Sequence, residues 1–141
     1  MTLFTSDIES ADRNCLKHAA VSIGCALFLA FFGAVYEHFS HGVYNYFMIY
    51  AFAPALISGL LLLFALLRGR IPRVRTLFLM HAAAAAWTAG CIVTGIIRIS
   101  GRDHALLPVF AVLGAVTAVL ALLSYFREQK QTAEIVPPAD S

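Results

Sequence analysis

The sequence predicts an all-α membrane protein, a polytopic four-helix bundle with both termini on the cytoplasmic side. Apolar residues fill 60% of its 141 positions and charged ones only 13%, about half the charged share of a soluble domain. The remaining charges are expelled from four long runs, and the basic ones collect at one end of those runs. With a mean hydropathy of +0.80, residues 1–141 read as a single domain.

A helix rises about 1.5 Å per residue, so about 20 apolar residues cross a hydrocarbon core of about 30 Å. Four segments meet that requirement, with helices expected over about 19–39, 43–67, 76–97 and 105–126. A soluble bundle would show polar faces at the helical period, and these runs are apolar all round. The first is expected to be a retained helix and not a cleaved signal. It follows an acidic start at Asp7, Glu9 and Asp12 and leaves through Tyr36 and Glu37, not through small residues. A short polar tail precedes it. Pro137 and Pro138 mark a C-terminal tail expected to be disordered.

Orientation follows from the basic residues, which are retained on the cytoplasmic side. Arg13, Lys17, Arg68, Arg70, Arg73, Arg75, Arg127 and Lys130 fall at one end, against Arg98 and Arg102 at the other. A multi-pass protein of the bacterial inner membrane is the expectation. The net charge of +2 forms no basic stripe, which excludes nucleic acid as a partner. The bilayer itself, a second copy and other membrane subunits are the partners that fit.

Within the spans, small residues point to close packing, because helices in lipid associate through backbone approach. Ala20, Gly24, Ala26, Ala30 and Ala34 in the first span, and residues 82–86 with Gly90 in the third, suggest that these two spans form the interior. Pro54 falls near the middle of the second, where it removes a backbone donor, frees the carbonyl of Tyr50 and predicts a kink. Cys15, Cys25 and Cys91 form no paired motif and read as free packing residues. A shift of 66 positions superposes Ala19 on Ala85, Gly24 on Gly90 and His38 on His104, which raises a duplicated hairpin.

Chemistry is concentrated at the outward turns. Glu37 and Asp103 are the two carboxylates between Arg13 and Glu128, and each adjoins a histidine. With Glu37 and His41 one helical turn apart, and Asp103 and His104 approaching from the fourth span, the cluster Glu37, His38, His41, Asp103 and His104 is a candidate cation or proton site. Glu37, His41 and His104 are its candidate divalent-metal ligands. The bland alternative is an interfacial belt, with polar turns flanked by Tyr36, Tyr44, Tyr46 and Tyr50. His81 and Thr88 lie inside the third span, where an imidazole is a functional candidate by default. His18 and His81 share the cytoplasmic half, which brings a b-type haem held by paired histidines into view as a cofactor beside a divalent metal.

The segment Glu37-His38-Phe39-Ser40-His41-Gly42-Val43-Tyr44, continued by Phe47 and Met48, resembles one found in small four-helix bacterial membrane proteins, sometimes labelled permease-like. That resemblance covers about a dozen residues and implies only that this turn matters. Three functions remain open: a transport-associated protein with an outward acid-histidine site, a haem-bearing electron carrier, and a structural subunit of a larger complex. Enzyme function is not expected, since the chain has no HExxH pair, nucleophile motif or phosphate-binding glycine loop.

Overall fold

The computed structural model describes residues 2–39, 45–100 and 107–135, with side chains described over 10–39, 45–100 and 107–132. Among the described residues the chain is helical throughout: α1 (Thr2–Phe39), α2 (Tyr46–Ile49), a 3-10 turn (Tyr50–Phe52), α3 (Ala53–Leu67), α4 (Val74–Ile99) and α5 (Leu107–Ile135). Four helical stretches are long and apolar enough to cross a membrane: Ser10–Phe39, Tyr46–Leu67, Val74–Ile99 and Leu107–Thr132. The outer helices outrun the expected spans. α1 continues back through the polar N-terminal stretch, and α5 runs on to Ile135, because nothing in 127–135 breaks a helix before Pro137.

The spans run up and down in sequence. Cys15 Sγ reaches the carbonyl of Leu62 at 3.8 Å, and Gly33 packs on the backbone of Met48 and Ile49, so α1 lies antiparallel to α2 and α3. Contacts between Thr76 and Ser124 and between Gly90 and Phe110 make α4 and α5 antiparallel. The start of α1, the 68–73 turn and the end of α5 therefore share one end, called here the arginine end.

Helix α1 packs on α3, α3 on α4, and α4 on α5; α5 has no second major partner. The bundle is an open arc of helices. Its α1 interior is Cys15, Ala19, Ser22, Ala26 and Gly33, a stripe in mixed steps of three, four and seven. Ala20, Gly24 and Ala34, expected to pack, are exposed, and Ala30 is half-buried. Strict four-residue steps drift about 40° each round a helix of 3.6 residues per turn, whereas alternating threes and fours keep facing one partner. The expected pairing of the first and third spans is likewise replaced by α1 on α3. Ala19 is buried and Ala85 exposed, Gly24 open and Gly90 beneath Phe110; the duplicated-hairpin alignment superposes composition, not environment.

Two breaks shape the middle spans. Pro54 occupies the first turn of α3, where its missing N–H is harmless. The 3-10 turn just before it disposes of the carbonyl that proline frees, because the N–H of Ala53 donates to the oxygen of Tyr50. At the arginine end α3 closes on Gly69, whose φ of 62° is the left-handed region. The N–H of Gly69 donates to Leu66 O at 2.9 Å and that of Arg70 to Ala65 O at 2.9 Å, the paired bonds of a Schellman cap. All three cysteines are free; Cys15 is buried, Cys25 exposed and Cys91 half-buried, so the packing role expected of all three fails for Cys25.

Candidate functional site

Polar groups in this bundle sit where helices meet, because an unpaired polar group facing lipid has no water to bond. One such meeting joins α1 to α4. His18 and Ser22 lie one turn apart on α1. His81, eighth residue of α4, lies about 10 Å along that helix from its start. His18 Nδ1 and His81 Nε2 are 3.1 Å apart, and Ser22 Oγ is 3.5 Å from His81 Nδ1. The ring centroids are 5.1 Å apart with planes inclined at 43°, which is a hydrogen-bond geometry and not a stack. Ser22 is buried, His81 half-buried and His18 on the bundle surface. Cys15, Ala19, Leu62 and Leu77 pack beside the pair as an apolar core.

One ring donates and the other accepts, so the row Ser22 Oγ, His81 and His18 is a short hydrogen-bonded chain. Either tautomer of His81 satisfies it. His18 Nε2, the outermost nitrogen, has no partner among the described residues. Beyond His81, the same face of α4 carries polar contacts at seven-residue steps. Thr88 Oγ1 donates to Ala51 O at 3.2 Å, taking up a carbonyl of the 3-10 turn. Asn45 Nδ2 donates to Gly95 O at 3.2 Å, while its Oδ1 accepts from Phe47 N. Met48 is wedged between Gly33 and Gly95.

A second network lies at the arginine end. Thr76 Oγ1 donates to Ser124 Oγ at 2.9 Å, Ser124 Oγ to Glu128 Oε1 at 3.4 Å, and the N–H of Arg73 to Glu128 Oε2 at 3.0 Å. A carboxylate thus caps the start of α4, where the helix dipole favours negative charge.

The sequence-predicted cluster divides. Glu37 and His38 occupy the last turn of α1, exposed, with the His38 ring edge-on to Phe39 at 5.4 Å. His41, Asp103 and His104 lie outside the described residues. Among the described residues no three His, Cys, Asp or Glu side chains converge as a metal site. His81 has His18 and Ser22 as partners, and Thr88 bonds elsewhere. Ser22 was missed, and His18, weighed with His81 only as a possible haem ligand, was not foreseen as its direct hydrogen-bond partner; the signal was the one-turn spacing of His18 and Ser22 on a face shared with Cys15, Ala19 and Ala26.

Donor count and spacing discriminate among ligands for the pair. Metal–imidazole bonds are about 2.0–2.1 Å, so a haem iron between two axial nitrogens needs them about 4 Å apart in line. At 3.1 Å the pair is too close, and α1 and α4 would have to separate by about 1 Å. A tetrahedral divalent ion accepts nitrogens about 3.3 Å apart but takes four ligands, of which two imidazoles supply half. A proton is the cation that two nitrogens suffice to hold. No family model, curated protein or solved structure matches the chain.

Proposed function

We propose that this chain is a small transport-associated protein of the bacterial inner membrane that handles protons through His18 and His81. The observation that supports this reading most is the 3.1 Å contact between imidazoles 63 residues apart in sequence. Two neutral rings share one proton across such a contact. A second added proton would place two imidazolium charges with centroids 5.1 Å apart, a repulsion of about 3 kcal/mol at an effective dielectric of 20. The pair therefore holds one added proton, taken up at an outer nitrogen, either His81 Nδ1 beside Ser22 Oγ or His18 Nε2, while the shared hydrogen stays in the contact between the rings. Asp12, Arg13, Cys15, Lys17 and Cys25 on α1 and Arg75 on α4 are the titratable and charged neighbours within two turns; α3 offers none.

The opposite end supplies the other mouth of this proposal, where Glu37 and His38 close α1; His41, Asp103 and His104, expected by sequence to join them, lie outside the described residues. Thr88 and Asn45 mark the route between. Steps of seven residues are about 10 Å, so transfer along α4 proceeds only when water enters the interface.

Proton flux into liposomes under a potassium diffusion potential tests the reading. Wild-type protein should carry flux that His81→Phe abolishes, and the double exchange Glu37→Gln with His41→Ala should reduce it from the other end. Undiminished flux in folded His81→Phe protein would overturn the pair's role. Absence of flux in the wild type would remove the transport reading and leave a structural subunit.

A further inference from the structure

The open side of the helical arc is a groove walled by α3 and α5 and floored by α4, with a volume of about 460 Å³. It lies within the range of about 300–1,000 Å³ usual for ligand sites. Pro54, Trp87 and Gly114 bound it at one end, and Ala65, Thr76 and Tyr125 at the other. Each pair on a wall or floor is eleven residues apart, so all three sides run about 16 Å along their helices. One leaflet of the hydrocarbon core is about 15 Å. The groove thus runs from mid-bundle to the arginine end and stops there.

Its depth comes from small residues. The indole of Trp87 packs against Gly114, so close that a Cβ there would collide with it. This draws α5 against α4 and leaves a shallow floor where Ala83 and Ala84 of α4 meet Ala118 at the foot of the α5 wall. Leu61 and Phe64 form an apolar rim, 49% and 55% exposed. Ser58 lies among the lining residues, buried, and its hydroxyl has no partner among the described residues.

Charge decides the occupant. The 68–75 segment at the groove's mouth carries Arg68, Arg70, Arg73 and Arg75 and no acid. The Arg68 guanidinium sits 4.7 Å over the ring of Phe64, itself a lining residue. Glu128, the carboxylate that reaches this segment, is taken by the backbone N–H of Arg73 and by Ser124, not by a guanidinium. A second copy seated in the groove would bring its own four arginines alongside. A lipid with an anionic headgroup brings the opposite charge, and basic pockets between helix ends bind such headgroups.

We propose that the groove between α3 and α5 holds one acyl chain of an anionic phospholipid, with the phosphate on the arginines of the 68–75 segment. The site is independent of the histidine pair, and its test does not involve proton movement. The protein is reconstituted in nanodiscs of phosphatidylcholine with a minor share of phosphatidylglycerol of matched chains, and lipid retained after gentle release is read by native mass spectrometry. Wild-type protein retains phosphatidylglycerol in preference to phosphatidylcholine. Exchanging Arg68 and Arg75 for Gln lowers that preference about thirty-fold. Ala118→Phe, which fills the floor, removes both lipids. Ile57→Trp serves as a second blocking variant, because Ile57 lines the groove while 56% exposed and its exchange spares the packed interior. Equal retention of the two lipids by wild type, or unchanged retention in folded Ile57→Trp, overturns the proposal. So does a wild type that retains neither lipid and forms a dimer that Ile57→Trp dissociates, an outcome that gives the groove to a second copy.

Discussion

Substituting alanine at two glycines, one pressed against a neighbouring helix and one facing open space, separates helix propensity from helix packing. A Cβ at Gly59 would meet Ile23 Cγ1 at 2.7 Å, Ile23 N at 3.2 Å and Ser22 Cβ at 3.2 Å. The isoleucine carbon can swing away, but the other two atoms belong to or adjoin the α1 backbone. Contact between carbons is best at about 3.5–4.0 Å, so α1 must retreat by about 0.5 Å. Overpacking of this kind costs about 2 kcal/mol, against which alanine gains about 1 kcal/mol over glycine in a helix. At Gly24 a Cβ meets nothing within 4 Å, and the whole gain of about 1 kcal/mol is kept. Gly24→Ala should stabilise and Gly59→Ala destabilise, a difference of about 2 kcal/mol or roughly thirty-fold in the folded ratio. Reversible SDS unfolding in mixed micelles, followed by far-UV circular dichroism, reads that difference directly. Equal stabilisation by the two would refute the close approach of α3 to α1 at Ser22. Because Ser22 moves with α1, Gly59→Leu should also break its 3.5 Å contact with His81.

Gly69→Ala forces a Cβ into the left-handed region at φ 62° and should cost about 1 kcal/mol by the same unfolding assay, with proline-free helices otherwise unchanged by circular dichroism. Thr88→Val keeps shape and removes the bond to Ala51 O, a loss of about 0.6 kcal/mol in a membrane helix; the infrared amide I band of isotope-labelled Ala51 should shift as its carbonyl loses a donor. Glu128→Ala strips the acceptor from the Arg73 N–H and from Ser124, and should cost about 1 kcal/mol and speed hydrogen exchange in the first turn of α4.

The spans were legible because bilayer thickness imposes its own length on uncharged runs, and the break beside Pro54 because proline removes a donor wherever it stands. Which face of α1 turns inward was not legible from the small residues alone. Gly24 and Ala34 are as small as Gly33 and Ala26, and the difference lies in whether they share the face that follows Cys15, Ala19 and Ser22. His81 could be singled out, since an imidazole inside an apolar helix must find a partner. His18 could be placed in the same half of the bundle, as a candidate haem partner of His81, but its position after Arg13 and Lys17 gave no sign of a direct hydrogen bond. Only the parallel course of α1 and α4 carries it to His81. The acid-histidine cluster stands apart, since Glu37 and His38 end α1 while His41, Asp103 and His104 lie outside the described residues.

The proton account rests on a shared hydrogen between two rings, which magnetic resonance observes directly. Protein with ¹⁵N-labelled histidine, reconstituted in bilayers, should show an N–H···N coupling between His18 Nδ1 and His81 Nε2. His18→Asn should abolish that coupling while leaving the bundle folded. Absence of that coupling in folded wild-type protein would contradict it.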